Sequence, residues 1–327
     1  GDLPERHLVW SVVQDHVNRD LLFAGTEYGI FFTVDGGQHW IKLTGGVPTI
    51  SFRDLEIQKR ESDLVGGSFG RSFFILDDYS PLREVNAAML EEELHLFSVK
   101  DALLYVPQNP LGWGEKADQG AAYFTAPNPP FGAVFTYYLA DELKTGSEQR
   151  RQREKAIRSE GGDVPFPGYQ TLREESREAE PKIVFTITNE SGDVVRRITG
   201  PTEKGFHRVA WDLRYPSFEP VKVNQGGFVA PWERPSPGPL ARPGRYTVSA
   251  AKLVNGEMTS LGGAQSFGVV PLDGETLPSA DRQEVLSFQQ DTSDLLRTAR
   301  GAQKRIDELK DRIAHMEEAA LQTPGVE

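Results

Sequence analysis

The chain contains no cysteine among its 327 residues, so neither disulfides nor thiolate metal ligands can contribute to it. Its histidines number six and are scattered, at His7, His16, His39, His95, His207 and His315; no His-x-x-x-His pair or His/Asp cluster suggests a metal, and no cofactor is expected. No apolar run approaches the roughly 20 residues needed to span a bilayer. The start, GDLPERHLVW, lacks both the basic and the apolar part of a secretion signal and begins almost inside a strand. Gly1 is therefore read as an added residue or a cut point within a longer protein. Gly-x-Ser-x-Gly, a phosphate-binding loop and a dinucleotide fingerprint are all missing. Positive charge is the minority sign: the net charge is −12, which argues against nucleic acid or an anionic membrane surface as the main partner. Hydrophobic residues make up 38%, enough for ordinary cores, and the length suggests two or three domains.

What is present is a pattern of short strands and tight turns. Leu21 to Leu43, LLFAGTEYGIFFTVDGGQHWIKL, reads as three strands, at 21–25, 29–34 and 40–43. Between the last two lies Thr33-Val34-Asp35-Gly36-Gly37-Gln38-His39-Trp40, which fits Ser/Thr-x-Asp-x-Gly-x-x-Trp. Asp35 is placed to accept backbone N–H groups ahead of it, Gly37 to take positive φ, and Trp40 to fold back and cover the turn.

The stretch from 8 to 79 repeats internally. Gly25-Thr26 aligns with Gly67-Ser68, Phe31-Phe32 with Phe73-Phe74 and Asp35 with Asp77, at an offset of 42 residues throughout. A period of 40 to 50 residues with about four short strands is that of a propeller blade. Two blades do not bury their own faces, so further blades are expected upstream or from another chain. A small β-sandwich that happens to repeat is the alternative.

Residues 1 to about 85 resemble the last blades of large bacterial proteins with sortilin-like, BNR-repeat propellers. These are often labelled glycosyl-hydrolase or sialidase-like. The resemblance makes Thr33, Asp35, Gly37 and Trp40 an Asp box, a structural latch rather than a catalytic device, and it implies an extracytoplasmic bacterial protein. The sialidase catalytic set, an Arg triad with a Tyr–Glu pair and an acid Asp, does not map onto this chain; Arg53 and Arg71 make no triad. Nor do the two catalytic Asp residues of xyloglucan-cleaving propellers.

Residues 86–120 are read as a connector with helical character at 81–93, extended segments at 94–105 and a loop after Pro107. From 121 to 275 strands follow one another at 133–140, 182–188, 194–198, 205–213, 243–248 and 264–270, with Trp211 facing the core; this is the pattern of a β-sandwich. Its Trp211-Asp212 and Gly244-Arg245-Tyr246 resemble the Ig-like domain of flagellar hook-cap proteins. Two excursions interrupt it, a charged insertion at 141–180 with a helix at 147–159, and a Pro/Gly-rich loop at 215–243. Trp113, Phe218, Phe228 and Trp232 are the candidate ligand or domain contacts.

At 276–327 the period changes. Val285, Phe288, Thr292, Leu295, Ala299, Ala302, Ile306, Leu309, Ile313, Met316 and Ala320 follow at alternating spacings of three and four, a heptad seam. One helix does not bury it alone. It is expected to fold back as a hairpin near Gly301, to pack on the rest of the chain, or to pair with another copy through residues 281–320.

The expectation is thus a mainly β protein: about two blades of a partial β-propeller (1–85), an Ig-like sandwich, and a C-terminal long helix or helical hairpin. Two functions remain open. One is a non-catalytic scaffold that binds protein or glycan and mediates assembly. The other is part of a glycoside hydrolase whose catalytic carboxylates lie mostly upstream.

Overall fold

The computed structural model describes residues 1–105, 126–221, 236–272, 279–323 and 325. It is mainly β with one long C-terminal helix.

The chain opens as a four-stranded antiparallel meander, β1 (Val9–Gln14), β2 (Leu22–Thr26), β3 (Gly29–Thr33) and β4 (Ile41–Lys42). A three-stranded meander follows, β5 (Phe52–Gln58), β6 (Asp63–Ser68) and β7 (Phe73–Leu76). The sheets pack face to face around Phe23, Ile30 and Phe32 from the first and Phe52, Leu55 and Leu64 from the second. Gly25 lies where this packing is tightest; a Cβ there would stand 2.9 Å from the Phe52 carbonyl oxygen.

A polar node fastens the two sheets together. The Asp15 carboxylate, buried at the end of β1, accepts the Tyr79 hydroxyl at 2.6 Å and Arg83 at 2.8 and 2.9 Å. It also accepts the backbone N–H groups of Val17 and Asn18. Tyr79 and Arg83 come from the turn and short 3-10 segment (Ser80–Arg83) that follow the second sheet. Burial alone pushes the Asp15 carboxyl up; the Arg83, Asn18 and Tyr79 donors outweigh it and hold it well below the usual carboxylate range.

After α1 (Ala87–Leu90), capped by the Asn86 side chain, come β8 (Leu94–Leu96) and β9 (Ala102–Leu104). The helical character read over 81–93 is thus split into two short turns. Then follow β10 (Ala133–Leu139), α2 (Gly146–Ser159), α3 (Tyr169–Glu175), β11 (Lys182–Asn189), β12 (Val194–Gly200), β13 (Gly205–Trp211), β14 (Gly244–Val254) and β15 (Glu257–Pro271). Two sheets result, ordered β13-β10-β8 and β12-β11-β14-β15-β9. The extended segments read within the connector therefore supply one strand to each: β8 pairs antiparallel with β10, β9 parallel with β15. Inward-facing Phe135, Tyr137, Phe185, Trp211, Tyr246 and Phe267 fill the space between them. Trp211 donates its indole N–H to the Arg214 carbonyl, and Tyr246 its hydroxyl to the carbonyl of Arg242, so both bury a ring without orphaning a donor. In the charged insertion a Thr145–Glu148 capping box starts α2, and Arg150 pairs with Glu175 to hold α3 against it.

The C-terminal helix α4 (Ser279–Gln322) runs unbroken through Gly301, so the hairpin alternative does not occur. Leucine, glutamine and arginine around Gly301 are strong helix formers, and one glycine costs only about 1 kcal/mol against them.

Removing a partner from the buried node leaves an uncompensated charge, so Arg83→Met is predicted to lower unfolding free energy by about 3 kcal/mol at neutral pH, read by urea denaturation. An unfolded aspartate titrates near pH 4. The node's contribution is present above that and is lost as pH falls toward the depressed folded value. The gap between parent and variant is therefore predicted to shrink below about pH 4.

Candidate functional site

Thr33, Asp35, Gly37 and Trp40 come together in the β3–β4 turn. The Thr33 hydroxyl donates to Asp35 Oδ1 at 2.7 Å and accepts the Gly37 N–H at 3.0 Å. The same Oδ1 accepts the N–H groups of Gln38 and His39, each at 3.0 Å. Oδ2 meets His39 Nδ1 at 2.6 Å. Gly37 has φ +95, and the Trp40 ring lies over it. The His39 N–H, the Thr33 hydroxyl and the His39 ring together lower the Asp35 carboxyl, and Asp35 in turn raises His39. Both carboxylate oxygens of Asp35 bond within their own loop, so the group fixes the backbone of the turn.

A cleft of about 400 Å³ lies between the β5–β7 sheet and the sandwich. Arg208 on β13 reaches across and donates to the carbonyls of Asp77, at 2.7 Å, and Asp78, at 2.5 Å. Lys100 pairs with Glu61 from the other side. The cleft is rich in carboxylates, yet most are occupied. Asp63 accepts the Asp78 N–H, Asp78 accepts the Ser80 hydroxyl, and Asp101 accepts the Gly268 N–H. The Asp77 carboxyl is pushed up, by burial and then by the charge of Asp63, with Arg208 opposing. These contacts describe a fastened seam between two units.

Two apolar surfaces of the described residues stand exposed. On the outward face of the β5–β7 sheet, Phe73 is 73% and Ile75 60% exposed. At the neighbouring edge the Arg53 guanidinium stacks 3.6 Å from the Trp10 ring centre and lies 5.1 Å from that of Phe69. The second surface is the seam of α4, where Phe288, Leu295 and Met316 stand about 70% exposed. The opposite face of α4 rests on the sandwich. There Leu286 is buried, Arg297 donates to the Ser217 carbonyl, and Lys304 to that of Val221. Arg300 pairs with Glu219 and lies over the Phe218 ring. Phe218 is thus a helix-docking contact within the Pro/Gly-rich loop. Trp113, Phe228 and Trp232 lie outside the described residues.

Sequence reasoning missed Asp15, Tyr79 and Arg83, because Arg83 is 68 positions from its partner and no local motif links them. It also missed Arg208, which looks in sequence like any alternating strand residue. Among the described residues no group of three or more His, Asp or Glu side chains is placed to hold a metal, and no helix is long and apolar enough to cross a membrane.

No family model matches the chain, and no curated protein matches it. Among solved structures it is similar to the extracellular domain of BT4673 from B. thetaiotaomicron, described as part of a one-component system. The identity is 12% over 81% of this chain and 25% of that one, with a TM-score of 0.17. It is also similar to the extracellular domain of BT3049 from the same organism, described as part of a hybrid two-component system. There the identity is 8% over 80% and 26%, with a TM-score of 0.20. The chain spans about a quarter of each, and TM-scores this low give no common superposition.

Gly37→Ala is predicted to destabilise the chain by about 1–2 kcal/mol, the cost of a left-handed backbone for an L-residue, measured by urea unfolding. Asp35→Asn is predicted to bring the His39 titration, followed by NMR, back down toward the ordinary histidine value. Because Asp35 raises His39, the coupling favours the fold below about pH 6.5 and is lost as pH rises through the folded value.

Proposed function

We propose that the chain is a non-catalytic scaffold portion of a larger exported bacterial protein, built to bind other protein surfaces and to assemble. Its two meanders are read as successive blades of a β-propeller with an Asp box in the first. The sandwich is read as an Ig-like module seated against the second blade.

One observation carries this reading. Along the 42-residue repeat, Phe23 and Gly25 of β2 correspond to Val65 and Gly67 of β6. Phe23 faces the interface between the two sheets, whereas Val65 pairs with Ile75 on the outward face. The face that β2 buries against the second sheet is, in β6, the one left open, while β7 is slipped by one residue on β6, so that Phe74 packs inward as Phe32 does. Repeats stacked in one direction have this property, and the open face calls for a further sheet of the same kind. Glycan binding at the aromatic edge around Trp10 and Phe69 fits the same reading, since exposed rings stack on sugar faces; nothing in the cleft supports cleavage.

The chain should show concentration-dependent association by sedimentation velocity and no turnover of fluorogenic sialosides or xyloglucan oligosaccharides. Hydrolysis that is lost in Asp77→Asn would contradict the scaffold reading, as would a monomer at every concentration.

A further inference from the structure

Among the described residues nothing covers the α4 seam, and the docking of the helix gives part of the reason. Leu286, Ser293 and Arg300 are spaced by seven, as are Gln290, Arg297 and Lys304. Leu286 and Ser293 are buried, and Arg297, Arg300 and Lys304 bond to residues 217–221. These two rows lie on the side of the helix away from the seam. Docking up to Lys304 therefore aims the first half of the seam outward, and beyond Lys304 every face of the helix is exposed; Val285, Phe288, Leu295, Ile306, Leu309, Ile313 and Met316 are all more than 40% exposed.

The charges beside the seam say what covers it. The positions immediately before Val285, Thr292, Ile306 and Ile313 are Glu284, Asp291, Arg305 and Arg312. The flank is acidic in the first half of the helix and basic in the second. In an antiparallel pair these positions face the same positions of the partner, so acidic half meets basic half twice over. In a parallel pair they face instead the positions that follow Phe288, Leu295, Leu309 and Met316, which are Gln289, Leu296, Lys310 and Glu317. Arg305 would then meet a lysine and Arg312 a glutamate, which cancel. A helix whose flank is complementary to its own reverse fits a second copy of itself.

We infer that two copies of this chain pair through α4 in antiparallel orientation, seam against seam, each helix keeping its other face on its own sandwich. The inference rests on the assembly reading above and specifies its mode.

The absence of cysteine makes the test clean, because a single introduced thiol carries the only label. The parent chain is expected to be a dimer by light scattering, and Ile306→Glu with Ile313→Glu a monomer whose sandwich, read by near-UV circular dichroism, is unchanged. Spin labels on Glu318→Cys, on the outer face, are expected about 50 Å apart or more at 1.5 Å per residue, whereas a parallel pair holds them about 20 Å apart or less, within two helix diameters. Reversing the acidic flank with Glu284→Lys and Asp291→Lys should weaken the dimer roughly tenfold or more by turning four exposed attractions into repulsions. Adding Arg305→Glu and Arg312→Glu should restore it. A short label distance, or no rescue, overturns the antiparallel pair. Association that survives Ile306→Glu with Ile313→Glu overturns the seam while leaving the scaffold reading intact; a monomeric parent defeats both.

Discussion

A sheet or helix with apolar residues on two faces needs a neighbour on each. Three elements of this chain meet that constraint in different ways. The sandwich satisfies it internally, because its two sheets each present one inward face and close on Trp211, Phe185 and Phe267. The β5–β7 sheet satisfies half of it, packing one face on the first meander and presenting Phe73 and Ile75 to solvent on the other. The helix α4 also satisfies half, docking Leu286 while its seam stays open. Contiguous exposed apolar surface of this kind marks interaction sites in soluble proteins. The functional reading follows from where that surface lies rather than from any reactive group.

The polar contacts serve to orient these surfaces. Asp15, Tyr79 and Arg83 lock the exit of the second sheet onto the end of β1, so the chain leaves the paired sheets in a fixed direction. Arg208 and the Lys100–Glu61 pair then clamp the sandwich against the same corner. The Arg300–Glu219 and Arg297–Ser217 contacts seat the helix at the opposite end of the sandwich. Carboxylates and backbone carbonyls share these joints: Asp15, Glu61 and Glu219 pair with Arg83, Lys100 and Arg300, while Arg208 and Arg297 are held by carbonyls.

Much of this was legible from sequence wherever the signal is local. The strands of both meanders, the Thr33–Trp40 turn and the core position of Trp211 each follow from period-two alternation or from a turn motif a few residues long. The α4 helix follows from a period sustained over five heptads. Signals that depend on distant partners were not legible. Nothing in Leu94–Leu96 or Ala102–Leu104 says that they join two different sheets of the sandwich, since their partners lie about 40 and 170 residues on. β15 begins at Glu257, earlier than the apolar run from Ala264, because Gly262 and Gly263 interrupt the pattern that a strand reading follows. α3 was hidden behind Pro165–Gly168 and is held by Arg150 from another helix. Of the candidate site residues, those of the Thr33–Trp40 turn declared themselves by spacing, whereas the node at Asp15 and the clamp at Arg208 did not. The open face of the β5–β7 sheet needed the strand register, which the 42-residue offset alone does not supply.

The central claim is that the apolar excess of this chain is interface rather than surface. Hydrogen–deuterium exchange of the intact chain at low and high protein concentration tests it most directly. The account predicts that amides of residues 299–320, solvated on an isolated helix, become more protected as concentration rises, while those of β2, β3 and β11 do not change. Exchange in 299–320 that is equally fast at both concentrations would contradict it.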